Sequence, residues 1–233
     1  MKLPPFYPVL DAGMLEQSGI AVVTAAELLL EAGASILQFR HKGFFSRTAF
    51  EEASRIAELC RQAGALLIIN DRADIAKLLD AGLHLGQDDL TPAEARRILS
   101  ADSIIGFSNH NERQLRAGDA EPVDYLAIGP IFATGSKQNP DPIVGVEQLR
   151  SLRLLTQKPL VAIGGITRKS APEIFKAGAD SVAIIGDLIP NPCTPALLRE
   201  RAEEWIVICA DARAPGARAL DARAADGLGD AER

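Results

Sequence analysis

The segment Ala32-Gly33-Ala34-Ser35-Ile36-Leu37-Gln38-Phe39-Arg40 joins the end of a helical pattern to a short apolar run that finishes on polar and charged residues. The same joint recurs at Ala63-Gly64-Ala65, Ala81-Gly82-Leu83 and Ala177-Gly178-Ala179, each ahead of a run that reads as a strand. A glycine just past a helix end takes the left-handed conformation that closes the last turn without a Cβ clash. Working outward from these joints, strands are expected at 6–10, 35–40, 66–70, 83–85, 104–108, 125–129, 160–163 and 181–185. Helical patterns occupy 22–32, 46–63, 74–81, 91–99, 111–117, 144–155, 170–177 and 195–208. Several carry start signals, such as Thr91-Pro92 followed by Glu94, a hydroxyl cap with proline in the first turn.

Strict alternation of strand and helix requires a parallel sheet. Repeated eight times, it fits a closed (β/α)8 (TIM) barrel better than the alternative, an open doubly wound sheet. Residues 1–210 are expected to form this single α/β domain. Residues 211–233 are rich in Ala, Arg, Asp and Gly and lack β-branched side chains. They are expected to be a disordered C-terminal tail, with at most a transient helix at 218–225.

Composition narrows the functional classes. The 233 residues carry 25 Lys plus Arg against 31 Asp plus Glu, a net charge of −6, with 47% apolar and 5% aromatic residues. The acidic balance and the lack of a basic block argue against a nucleic-acid surface or a membrane-binding patch. No apolar run reaches the roughly 18 residues a membrane span needs, and residues 1–10 do not read as a signal peptide. Cys60, Cys193 and Cys209 have no disulfide or zinc spacing and read as small buried apolar residues. A reducing, cytoplasmic setting is expected.

In such a barrel the site lies at the C-terminal ends of the strands. Strand two ends Gln38-Phe39-Arg40-His41-Lys42, where alternation sends Gln38, Arg40 and Lys42 to one face and Phe39 and His41 to the other. Strand three ends Asn70-Asp71 and strand four leads to Gly86-Gln87-Asp88-Asp89. Carboxylates on neighbouring strand ends, beside cations that require an anion, suggest magnesium held partly by substrate phosphates. The alternative is that Asp71 caps the helix starting near Asp74 and Asp89 merely precedes the cap Thr91. Ser108 and His110 follow strand five, with His110 placed for acid or base work, while His84 reads as packed and hydrogen-bonded. Thr134-Gly135-Ser136-Lys137 lies on the long 131–143 connection, a candidate phosphate loop and lid. Gly164-Gly165 and Ile185-Gly186 end strands seven and eight, where barrels commonly hold a phosphate.

Together Gln38-x-Arg40-x-Lys42, Asn70-Asp71, Gly86-Gln87-Asp88-Asp89, Gly106-x-Ser108-x-His110, Asp124-Tyr125, Gly129-Pro130-Ile131-Phe132 and Ile163-Gly164-Gly165-Ile166 resemble, in order, the motifs of the thiamine phosphate synthase family. The resemblance spans 6–208. It implies condensation of 4-amino-2-methyl-5-(diphosphooxymethyl)pyrimidine with 4-methyl-5-(2-phosphooxyethyl)thiazole, with release of diphosphate. By matching position, Gln38, Arg40, Lys42, Asn70, Ser108 and Lys137 would hold the pyrimidine diphosphate, and Phe39 and His41 of the same segment are counted as substrate-binding with them. Arg40, Lys42, Lys137 and Ser108 would serve catalysis, and Asp71 and Asp89 would bind Mg2+. Thr134, Gly135, Ser136, Gly165, Ile185 and Gly186 would meet the thiazole phosphate. The chain departs from the family at Ser136, where a threonine is usual, and at Gly186, where a serine is usual. Two other readings of the same barrel are a thiazole tautomerase-like isomerase, which needs neither diphosphate clamp nor metal pair, and a sensor that binds thiamine phosphate without turnover.

Overall fold

The computed structural model describes residues 2–135 and 141–213. Eight parallel strands close into one barrel in sequence order, with β1 pairing with both β2 and β8. They are β1 (Phe6–Asp11), β2 (Ile36–Arg40), β3 (Leu66–Asn70), β4 (Gly82–Leu85), β5 (Ile105–Asn109), β6 (Tyr125–Ile128), β7 (Leu160–Ile163) and β8 (Ser181–Ile184). Each expected strand is present to within one or two residues at its ends, and the open-sheet alternative is excluded by closure. Around them run α1 (Ala12–Gln17), α2 (Val22–Glu31), α3 (Arg47–Ala63), α4 (Ala73–Leu79), α5 (Pro92–Ile98), α6 (Glu112–Ala120), α7 (Gly145–Arg153), α8 (Ala171–Lys176) and α9 (Pro195–Ala212). The short α1, which Asp11 caps by accepting from the Met14 N–H, is not foreseen in the sequence reading. The last helix includes Asp211 and Ala212, so the domain boundary expected at 210 falls inside it; 214–233 lie outside the described residues.

Alternation along the strands makes two cores. Tyr7, Val9, Ile36, Ile68, Tyr125, Ala127, Val161 and Ala183 fill the barrel interior. Their neighbours, among them Leu10, Leu37, Phe39, Ile69 and Leu126, face the helices. Trp205 of α9 is fully buried and stacks on Phe6 with ring centroids 6.0 Å apart, tying the last helix to the first strand.

Three of the four glycine joints are left-handed: Gly33 (φ +106°), Gly64 (φ +65°) and Gly178 (φ +104°). At the fourth, the residue that closes α4 is Asp80 (φ +52°), and Gly82 opens β4 instead. A Cβ at 82 would stand 2.4 Å from the Ile68 side chain, so glycine there serves packing between β3 and β4. The Thr91–Glu94 capping box forms as the sequence signalled.

The N-terminal face of the barrel is held by a motif that occurs twice. Asp124, just before β6, accepts from the Ile105 N–H (2.8 Å) and from Arg96 of α5 (2.9 Å). Asp180, just before β8, accepts in the same way from the Leu160 N–H (3.0 Å) and from Arg153 of α7 (2.9 Å). These bonds satisfy the first amide of the preceding strand, which otherwise lacks a ladder partner. The Asp124 of the quoted motif therefore acts at the stability face, away from the strand ends that form the site.

Candidate active site

The first half of the barrel mouth is built from charges on β1 to β4. Arg40 is held by the carboxylate of Asp11, its Cα partner across β1 and β2, and the two side chains are only 14% and 10% exposed. Lys42 lies 2.5 Å from Asp71 Oδ2 and is half exposed. Asp71 adopts φ +64°, a left-handed backbone that a non-glycine residue occupies only when its surroundings impose it. Its N–H donates to the His84 carbonyl, and the cap of α4 is Arg72, without a side-chain bond. Asp71 is therefore not spent on capping, and the alternative reading of it falls.

Asp89 turns back to accept the Gly86 N–H at 2.7 Å. Burial, and the adjacent Asp71 carboxylate with which it shares a hydrogen bond, raise the Asp89 carboxyl above its usual range; the Gly86 N–H and Lys42 oppose that. Asn70, the last residue of β3, is 8% exposed and its Nδ2 is sealed without a partner. Hard oxygen donors side by side, repelling one another, fit a divalent cation that takes its remaining ligands from phosphate and water. Among the described residues no group of three His, Cys, Asp or Glu side chains is placed to hold a metal, so the protein's share would be these two carboxylates.

The second half is a cavity of about 550 Å³ at the ends of β5 to β8. Its walls include Ser108, His110, Thr134, Gly135, Gly165 and Gly186. Gly165 is left-handed (φ +65°), and a Cβ there would come 2.5 Å from the Ala133 carbonyl, so the backbone approach of this loop to the 131–135 segment requires glycine. A Cβ at Gly186, by contrast, meets nothing within 4 Å. His110 donates Nδ1–H to the Gly129 carbonyl (2.6 Å) and sets Nε2 3.4 Å from Asp141 at the far end of the long connection.

The floor joining the two halves is a continuous buried hydrogen-bond chain. Gln38 Nε2 donates to Tyr7 Oη (3.0 Å), Tyr7 Oη lies 2.9 Å from Tyr125 Oη, and Tyr125 Oη lies 2.9 Å from His84 Nδ1. His84 Nε2 lies 2.9 Å from Ser108 Oγ. Burial raises the pKa of both phenols, so both stay protonated. The His84 and Tyr125 rings stack with centroids 5.7 Å apart, and Gly106 leaves room for them: a Cβ there would lie 1.9 Å from Tyr125 Cζ.

Of the residues singled out in the sequence, Gln38, Arg40, Lys42, Asn70, Asp71, Asp89 and Ser108 converge on this mouth, with Thr134, Gly135, Gly165, Ile185 and Gly186 on the cavity side. Phe39 and His41 do not bring their side chains in. Alternation sends them outward, where they pack against Phe45 with ring centroids 6.3 and 5.6 Å away. Ser136 and Lys137 lie outside the described residues. Sequence reading missed Asp11, Tyr7 and Tyr125. The signal for the first was its place as the last residue of β1, and for Tyr125 a glycine, Gly106, paired with it across β5 and β6. Cys60 and Cys209 are buried as expected, and burial pushes their thiols up to about 12, whereas Cys193 is only half-buried.

Fold and mouth together define a (β/α)8 barrel with a cation-bearing, carboxylate-paired half and a glycine-lined half. The family model described as thiamine monophosphate synthase matches residues 6–188. A thiamine-phosphate synthase of Koribacter versatilis is 44% identical over 211 residues, covering 89% of this chain and 97% of the relative. One of Chloroflexus aurantiacus is 38% identical over 196 residues, covering 83% and 89%. The solved thiamine phosphate pyrophosphorylase of Pyrococcus furiosus superposes with a TM-score of 0.78 at 28% identity, covering 90% of this chain and 97% of that one. The chain belongs to the thiamine monophosphate synthase family and is a transferase of thiamine biosynthesis.

Proposed function

We propose that the mouth joins 4-amino-2-methyl-5-(diphosphooxymethyl)pyrimidine to 4-methyl-5-(2-phosphooxyethyl)thiazole, giving thiamine phosphate and diphosphate. The observation that carries this reading is the cluster at the ends of β2 to β4. There Arg40, the half-exposed Lys42 paired with Asp71, and Asp89 gather cations and carboxylates at one rim of the mouth. A diphosphate with its divalent cation would meet both signs of charge in that arrangement.

Diphosphate departs with the electron pair of the broken methylene C–O bond, and groups that neutralise the developing charge lower the barrier. Arg40, Lys42 and the Asn70 amide would do so from the described residues, and Lys137 from the loop. Asp71 and Asp89 would hold Mg2+, which supplies further charge stabilisation to the leaving group. The electron-rich aminopyrimidine carries the resulting cationic methylene, so no protein nucleophile is needed. The thiazole nitrogen then forms the new C–N bond from the 550 Å³ cavity, its phosphate held by the loops of Gly165 and Gly186.

Steady-state turnover with both substrates tests the reading. Thiamine phosphate and diphosphate should form in equal amount. Interconversion of thiazole isomers without diphosphate release would support the tautomerase-like reading, and saturable binding of thiamine phosphate without turnover would support the sensor.

A further inference from the structure

Gly186 brings no side-chain donor to the end of β8, so what the turn there offers an anion is its backbone N–H groups, and their direction is set by how the turn is held. The turn closes tightly: the Leu188 N–H donates to the Ile185 carbonyl (3.3 Å) and the Ile189 N–H to the Gly186 carbonyl (3.2 Å). The Gly186 and Asp187 N–H groups donate to no backbone carbonyl among the described residues, and both residues line the cavity. The next bond of the series would reach the Asp187 carbonyl from residue 190, a proline without an N–H. Arg201 of α9 takes that place and donates Nη1–H to the Asp187 carbonyl at 2.7 Å. Arg168, from the loop after β7, donates Nε–H to the carboxylate of the same residue (3.0 Å). Glu204 of α9 ties the two arginines together, paired with Arg168 and 3.5 Å from Arg201. The two positive and two negative charges cancel. The balance matters because Asp187 is a wall of the cavity beside Gly165 and Gly186, where an unpaired carboxylate would repel a phosphate.

We propose that Arg168 and Arg201 are positioning residues for the phosphorylated thiazole. Arg201 fixes the turn so that the Gly186 and Asp187 N–H groups stay directed at the cavity, and Arg168 neutralises the carboxylate that would otherwise turn a phosphate away. The inference rests on the reading that this end of the cavity takes the thiazole phosphate. Asp187 is among the cavity walls and neither arginine is, so both act through Asp187. The last helix, which supplies no wall of the cavity, thereby sets the affinity for one of the two substrates. Arg40 and Lys42 stand at the ends of β2 and β3 with their own carboxylate partners, so the pyrimidine diphosphate is held independently of this network.

Steady-state kinetics with each substrate varied in turn, together with Tm, separate this role from a merely structural one. Arg201→Met should raise KM for the thiazole phosphate about tenfold, with kcat and KM for the pyrimidine diphosphate within about twofold of the parent. Arg201→Lys keeps a donor for the Asp187 carbonyl and should hold the rise below about threefold. Arg168→Met should raise the same KM about tenfold, and adding Asp187→Asn should return it to within about threefold, because the stranded carboxylate goes with it. A merely structural network would instead lower Tm and move kcat or both KM values together, and that pattern overturns the proposal. So does an unchanged KM for the thiazole phosphate in both single variants. Should Arg201→Met fail to fold, Arg168→Met and its rescue by Asp187→Asn decide the matter. Calorimetry of the thiazole phosphate alone distinguishes the two levels of failure. A parent that does not bind it overturns the reading of the cavity and these roles with it, whereas a parent and variants that bind it equally overturn the positioning roles alone.

Discussion

Replacing Gly106 by alanine tests whether the floor of the mouth is as tightly built as its distances imply. The new Cβ would stand 1.9 Å from Tyr125 Cζ and 2.3 Å from its hydroxyl. Carbon atoms in contact keep about 3.5–4.0 Å, so the ring must retreat by roughly 2 Å or the two strands must part. A retreat of that size stretches bonds now at 2.9 Å, to Tyr7 and to His84, beyond useful hydrogen-bond length. Overpacking of a filled core costs about 1–3 kcal/mol, and stranding a buried hydroxyl costs about 1–3 kcal/mol more. A loss of about 2–6 kcal/mol in a domain of this size lowers Tm by roughly 5–20 °C. Thermal unfolding by circular dichroism reads it, with Gly186→Ala as the control whose Cβ meets nothing within 4 Å. Gly106→Ala combined with Tyr125→Leu, which removes the obstructing ring, should recover part of the loss, so the two changes should be non-additive. A Gly106→Ala protein melting within about 2 °C of the parent would refute the packing argument.

Three further outcomes follow from individual contacts. Trp205→Ala removes a fully buried indole stacked on Phe6 and should cost about 3–5 kcal/mol in urea unfolding; a loss under about 1 kcal/mol would mean that α9 is not docked as described. Asp11→Asn keeps a good cap for α1 but leaves Arg40 largely enclosed without its counter-charge. Because the pair retains some solvent contact, the expected loss is about 1–3 kcal/mol, and an unchanged urea midpoint would count against the pair. Gly186→Ser adds a hydroxyl in open space on the cavity side and should lower KM for the thiazole phosphate by about 3–10-fold with kcat unchanged; an unaltered or raised KM would place that phosphate elsewhere.

The barrel was legible because its evidence is periodic. Strand and helix patterns alternate along the chain, and the joints at Gly33, Gly64 and Gly178 mark helix ends by a conformation other residues avoid. Gly82 looked the same and was not, because a glycine required for close strand packing leaves no different trace from one required for its φ angle. At the mouth, Arg40, Lys42, Asp71 and Asp89 were readable because charge at a strand end is anomalous unless used. Tyr7 and Tyr125 were not, since an aromatic residue inside a strand is the ordinary filling of a core, and nothing local reveals that its hydroxyl meets a partner 118 residues away. Asp11 was hidden for a related reason: its role depends on the register of β1 against β2, which sets it opposite Arg40. The outward placement of Phe39 and His41, by contrast, follows from alternation alone.

The central claim is that Asp71 and Asp89 serve a cation that helps diphosphate leave. It is tested most directly by the rate of thiamine phosphate formation as Mg2+ is titrated into metal-free protein, for the parent and for Asp89→Asn. The parent should gain at least about 100-fold on saturation, with diphosphate released in equal amount. Asp89→Asn should need more metal and turn over about 100-fold more slowly at any concentration. Product formed at the same rate in excess chelator, and by both proteins alike, would contradict it.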